Sequence, residues 1–323
     1  MYRRLALLSA AAIALALPAA ALASCGAENC PLDHASRWSE APFTFDVSYQ
    51  YIDQNQPRVS TDDVSVGAIP RHHDEIRTLN RATTGRAMYR FAHAWSVSAA
   101  LPYIERFHAH IHNHLGVPEY ERWEYNGIGD LELSGLRAFG GSQSRNRYFA
   151  TAGVKMPTGV TDVRNEAGEQ PEPAARPGSG SWDFLAGAGA EWRLGARRAE
   201  DEAGSIPLRL SLTGRLNGRG TEEYRIGPQV QVHLASEVPV GRTFSLLGQA
   251  NFRVKGKDDV GASGLEEEDT GGSWLYLSPG LRVSTGTRAS IYGLVQIPVY
   301  QRVNGIQLVS DANLYFGVTG GIF

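Results

Sequence analysis

Along most of this chain, apolar and polar side chains change places at every residue. Leu208, Leu210 and Leu212 alternate with Arg209, Ser211, Thr213 and Arg215, while Ala289, Ile291, Gly293, Val295, Ile297 and Val299 alternate with Ser290, Tyr292, Gln296 and Tyr300. Val230, Val232 and Leu234 oppose Gln229, Gln231 and His233, and Phe244, Leu246, Ala250, Phe252 and Val254 oppose Ser245, Gln249, Asn251, Arg253 and Lys255. Successive side chains of an extended chain point to opposite faces, so a period of two gives a strand with one oily and one wet side. Strands are expected near 42–52, 76–92, 95–109, 123–139, 146–157, 181–194, 206–217, 224–237, 243–256, 273–285, 288–301 and 308–323. They are long beside the strands of about 5 to 6 residues usual in soluble sheets. Pro228 and Pro298 fall inside two of them, where a residue without an N–H calls for a local bulge.

The connections supply an independent constraint. Those after strands one, three, five and nine are long (53–75, 110–122, 158–180 and 257–272), whereas those after strands two, four, eight and ten are short. Gly195 to Ser205 is long for a turn, and Gly218 to Glu223 and Arg302 to Gln307 are short for loops. An even number of amphipathic strands with loops at one end and turns at the other describes an all-β, antiparallel up-and-down barrel of about twelve strands that crosses a membrane. A bilayer offers a sheet edge no hydrogen bonds, so such a sheet has to close.

The N-terminus places the barrel in a compartment. Arg3 and Arg4 precede an apolar run from Leu5 to Leu17, and Pro18 to Ala23 ends in the small-residue pattern Ala21-Leu22-Ala23. This reads as a cleaved export signal over residues 1–24. A polar lead-in at 25–41 follows, then the barrel at 42–323, expected in the outer membrane of a Gram-negative bacterium. After the signal no apolar run is long enough for a membrane helix. Cys25 and Cys30 are the two cysteines of the chain. They are read either as a small disulfide loop or, since Leu22-Ala23-Ser24-Cys25 resembles a lipobox, with Cys25 as a lipid-bearing first residue. A net charge of -3 with no dense Lys/Arg run speaks against nucleic acid as a partner. Outer-membrane lipid, the barrel-assembly machinery and a small-molecule solute are the partners expected instead.

Tyr103, Phe107, Trp123, Phe139, Trp182 and Trp192 lie near strand ends, where aromatic girdles form at the two membrane interfaces. The terminal Phe323 resembles the C-terminal aromatic signal of barrel assembly, although it is out of phase with Leu314, Phe316, Val318 and Ile322.

Three stretches carry a family likeness: Gly127-Ile128-Gly129-Asp130-Leu131-Glu132-Leu133, Lys155-Met156-Pro157-Thr158-Gly159 and Pro177-Gly178-Ser179-Gly180-Ser181-Trp182-Asp183. In this order and spacing they resemble the family of outer-membrane transporters named after the meta-pathway of phenol degradation. The resemblance implies an outer-membrane barrel with a transport role, and leaves the solute open.

Two groups of residues carry candidate chemistry. His108, His110, His112 and His114 occupy alternate positions of one extended stretch and would share a face, with His72 and His73 at the end of the preceding loop. Such imidazoles suit Zn, Cu or Ni. Same-face neighbours about 6.6 to 7 Å apart favour two ligands per ion over four. The second group is the expected lumen, where Arg193, Arg209, Arg215, Arg253, Lys255 and Arg282 outweigh Asp130, Glu132, Asp183 and Glu191. That excess favours anions if water fills the pore, and internal salt bridges if side chains fill it. Outer-membrane phospholipase A is also a barrel of similar size. Here His93 and His233 have Ser and Asn nearby, but no motif fixes a nucleophile, and neither HExxH nor a P-loop occurs, so no enzymatic activity is expected.

Overall fold

The computed structural model describes residues 41–69, 74–112, 117–140, 146–195, 206–261, 267–285 and 289–322. The segment read as an export signal, Cys25, Cys30, His72, His73, His114 and Phe323 lie outside the described residues. In chain order the strands are β1 (Phe43–Gln54), β2 (Gln56–Val59), β3 (Asp62–Asp63), β4 (Asp74–Ala92), β5 (Trp95–His112), β6 (Glu119–Ile128), β7 (Leu131–Phe139) and β8 (Asn146–Met156). There follow β9 (Asp183–Leu194), β10 (Ile206–Asn217), β11 (Gln229–Val240), β12 (Phe244–Lys255), β13 (Gly272–Ser284), β14 (Ala289–Val303), β15 (Ile306–Val309) and β16 (Asn313–Ile322).

Each wall strand runs antiparallel to its neighbours. β1 pairs with β4 on one side and, from Phe43↔Ile322 to Ile52↔Asn313, with β16 on the other, so the sheet closes on itself. Both β6 and β7 pair with β5, interrupted only by Gly129 and Asp130, and count as one wall strand. The result is a closed barrel of twelve strands, the condition for crossing hydrocarbon, and only its extension β6, beyond Gly129, pairs with a strand on one side alone among the described residues. The small sheet β15-β2-β3 stands apart from the wall, at the end of the barrel where the long loops gather.

The faces sort as the alternation requires. Leu212, Leu246, Leu281 and Ile291 point outward and are each about half exposed, whereas Arg209, Asn251 and Arg253 are buried inside. At the turn end, Arg137 lies 5.1 Å from the ring centres of both Trp95 and Phe139, an outward-facing cluster suited to an interface. Tyr103 and Trp182 mark the opposite rim. Beyond Tyr103 the outer face becomes mixed, with Glu105 on β5 and Arg122, Glu124 and Asn126 on β6 standing beside Phe107 and Ile111. These two strands therefore extend past the bilayer.

Four sequence readings are corrected. Trp123 is no girdle residue: it faces inward and is 3 % exposed. The strand expected from 224 begins at Gln229, because Tyr224 is bonded to Asp258 and Arg225 bridges to Asp259. The strand expected from 308 begins at Asn313, since Ile306–Val309 pair with β2 instead. The strand expected at 123–139 is broken at Gly129 and Asp130. Pro298 does sit at a bulge: Leu275 pairs with Tyr300 and Tyr276 with Pro298, leaving Val299 as the extra residue.

Candidate functional site

Inside the barrel lies a cavity of about 530 Å³ that reaches from Ala41 and Arg90 at the turn end to Pro173, Ala174 and Pro177 of the loop between β8 and β9. Among the described residues, nine Arg or Lys side chains line it, against the three carboxylates Asp130, Glu132 and Asp183. Arg209, Arg215, Arg253 and Lys255 are among the nine, as are Arg86, Arg90, Arg106, Lys155 and Arg176, which the alternation alone had not singled out. Arg193 and Arg282 lie on the inner faces of β9 and β13 but outside this lining, Arg282 paired with Glu237 at 3.3 Å. Aromatic faces carry part of the charge, with Arg209 4.3 Å from the ring centre of Phe149 and Arg253 4.9 Å from that of Trp274.

The loop roofs the cavity, and its two ends are tied to one point of the wall. Asp130 accepts hydrogen bonds from the backbone N–H of Gly159 and of Ser179, both at 2.9 Å, and from the Ser179 hydroxyl at 2.7 Å. Lys155 reaches Asp130 at 2.9 Å and Asp183 at 2.7 Å, and Arg215 joins Glu132 at 2.7 Å. Thr158 accepts the N–H of Leu131 at 2.9 Å. Three segments far apart in sequence, 127–133, 155–159 and 177–183, thus meet in one hydrogen-bonded node. Glycine is required at the crossing, where a Cβ on Gly178 would fall 2.4 Å from the carbonyl carbon of Gly159, backbone against backbone.

Farther along, the loop is held by its own carbonyls. Arg106 and Tyr125 both donate to the carbonyl of Ala175, and the Trp123 indole N–H donates to that of Glu169 at 3.1 Å. Val163 packs with Trp123 and Tyr125. Arg176 is bonded to Glu222 at 2.5 Å and to the carbonyl of Pro171 at 2.9 Å. Beneath this layer the carboxyl of Glu172 is held well above the usual carboxylate range, first by burial and then by the nearby carboxylates Glu75 and Asp258.

The histidines stand at the loop end, past the bilayer. Thr78 Oγ1 lies 2.9 Å from His108 Nδ1, His108 Nε2 lies 3.2 Å from His110 Nδ1, and His110 Nε2 lies 2.9 Å from Glu121 Oε2. Trp123 flanks both rings, with centres 5.7 and 4.9 Å away. Burial, followed by the neighbouring His108 and His112, pushes the His110 imidazole down to about 2, so it stays neutral at physiological pH. His108 and His110 share the inner face as expected. Their carboxylate partner Glu121, directly opposite His110 on β6, could have been found only from the pairing of the strands.

A closed, twelve-stranded transmembrane barrel with an oily exterior and a roofed, charged interior defines the class to which this chain belongs. Solved barrels of that class superpose on it. An outer membrane channel from Pseudomonas putida F1 matches with a TM-score of 0.65 at 12% identity, covering 90% of this chain and 99% of that one. The transport unit of the autotransporter AIDA-I from Escherichia coli matches with a TM-score of 0.53 at 10% identity, covering 90% and 93%. No protein-family model matches the sequence, and no curated protein matches it.

Proposed function

We propose that this protein is an outer-membrane channel that passes small solutes and favours anionic ones. The observation that carries the reading is the cavity itself, a chamber of about 530 Å³ inside a closed wall, lined by nine cationic side chains and three carboxylates, with Glu222 and Asp258 pairing Arg176 and Lys255 from outside the lining. In a low-dielectric barrel such an imbalance raises the local concentration of anions. The likeness in fold to the Pseudomonas putida channel supports a conducting role. The three motifs that resemble the phenol meta-pathway transporters support it further, because they are the segments that tie the roof to the wall. In this reading the solute crosses unchanged, without catalysis, and the loop end faces outward from a Gram-negative cell.

The roof makes the test specific. The refolded barrel and a variant lacking residues 161–175 are inserted into planar bilayers. Stepwise conductance is expected from both, larger in the variant, with a reversal potential of anionic sign in a salt gradient. Silence from both proteins would overturn the channel.

A further inference from the structure

We propose that His110, His112 and Glu121 form a binding site for one divalent transition-metal ion of the zinc, copper and nickel class, at the solvent-facing rim of the loop end. One donor atom from each of the three lies within 4.8 Å of the other two. The set is assembled by strand geometry: His110 and His112 are two apart on β5, and Glu121 is paired across from His110 on β6. Neutral imidazole and carboxylate are donors these ions accept together. Donors around such an ion sit about 2.0 to 2.2 Å from it, hence roughly 3.3 Å from one another in a tetrahedral arrangement. His110 Nε2 and Glu121 Oε2, at 2.9 Å, are already near that spacing. His112 is exposed, so its side chain can swing the remaining distance and also leave an entry path from solvent.

The surroundings of His110 favour a ligand role over a simple hydrogen bond to Glu121. An ionised Glu121 carboxylate can only accept, which places a proton on His110 Nε2; His110 Nδ1 then accepts from His108 Nε2, and His108 Nδ1 accepts from the Thr78 hydroxyl. To bind a metal, Nε2 has to present its lone pair. The chain allows this because a hydroxyl at its far end donates or accepts equally well. Both rings then carry their protons on Nδ1, His110 donates to His108, and His108 donates to Thr78, with no proton gained or lost by the pair. His108 and Thr78 become the outer partners that fix the tautomer and orientation of the ligating ring, and Trp123 limits its rotation.

The test uses the full mature barrel in detergent, without a polyhistidine tag, titrated calorimetrically with ZnCl2 and with CuCl2. One equivalent is expected to bind. Glu121→Gln and His110→Ala should each weaken it by at least tenfold. Glu121→Gln is isosteric and keeps an acceptor for His110, so its loss of affinity cannot be loss of fold. His108→Phe should preserve the stoichiometry and cost about 10- to 100-fold in affinity. Copper should also quench tryptophan emission, and Trp123→Phe should remove part of that quenching while leaving calorimetric binding in place. Absence of binding by the parent protein, or an affinity equal to the parent's in Glu121→Gln and His110→Ala, would overturn the site.

Discussion

Asp130 Oδ2 and Lys155 Nζ stand 2.9 Å apart at the point where the wall strand of β6 and β7 breaks, both buried. The pair is the hub through which the ends of the roof loop are bonded to the barrel. Replacing Asp130 by Ala removes an acceptor shared by two backbone N–H groups, the Ser179 hydroxyl and Lys155. Breaking a buried charged pair from one side costs about 3–5 kcal/mol. Asp130→Ala is therefore expected to undock the loop while the barrel stays folded. Limited proteolysis of protein in vesicles should then cut within residues 158–180, with a parallel rise in single-channel conductance. A loop as resistant as in the parent would show that Asp130 does not hold it.

The two faces of β10 give the sharpest test of the membrane orientation. Leu212, midway along the strand, faces lipid, and Thr213 faces the cavity. An arginine on the lipid face at mid-bilayer costs about 2–4 kcal/mol. Leu212→Arg should lower folding stability in lipid vesicles by that amount, read from urea titration, and Thr213→Arg should be tolerated. Equal losses would contradict the inside-out arrangement.

Selectivity should follow the lining charge. Arg209 lies against Phe149 within the cavity wall. Arg209→Glu changes the local charge by two units, and the reversal potential in a tenfold salt gradient should move toward cation preference. An unchanged potential would mean that the permeating ion does not pass this side chain.

The roof should also respond to pH. Glu172 has its docked-state pKa raised above its ordinary value of 4.5 by burial, Glu75 and Asp258. A raised carboxyl means that the docked loop binds the proton more tightly than the released one. Its contribution to docking is complete below pH 4.5 and is lost as pH rises through the raised value. Conductance is expected to increase with pH over that window. Glu172→Gln, permanently neutral, should flatten the profile, and a profile unaltered by this substitution would assign the pH response to another group.

Much of the wall was legible in the sequence because the information is local. An extended chain sends neighbouring residues to opposite faces, and lipid demands an apolar one, so Leu208 to Leu212 and Phe244 to Val254 declare their orientation without reference to any partner. The rule lapses past the bilayer. On β6 the outward residues Arg122, Glu124 and Asn126 are polar, while Trp123 and Tyr125 are buried inside. The girdle reading of Trp123 therefore failed: beyond the lipid, the infolded loop supplies the apolar surroundings. The alternation within Tyr120 to Asn126 held a clue, since an oily inner face next to a long loop implies something for that loop to pack on.

The sequence by itself determined the strand periodicity, the long connections at 158–180 and 257–272 and the shared face of His108 and His110, since each depends only on residues close together along the chain. Only the tertiary structure decided that residues 158–180 fold inward, that three distant motifs meet at Asp130, and that Glu121 faces His110. Those relations arise from barrel closure and strand register, which bring together side chains that no local period connects.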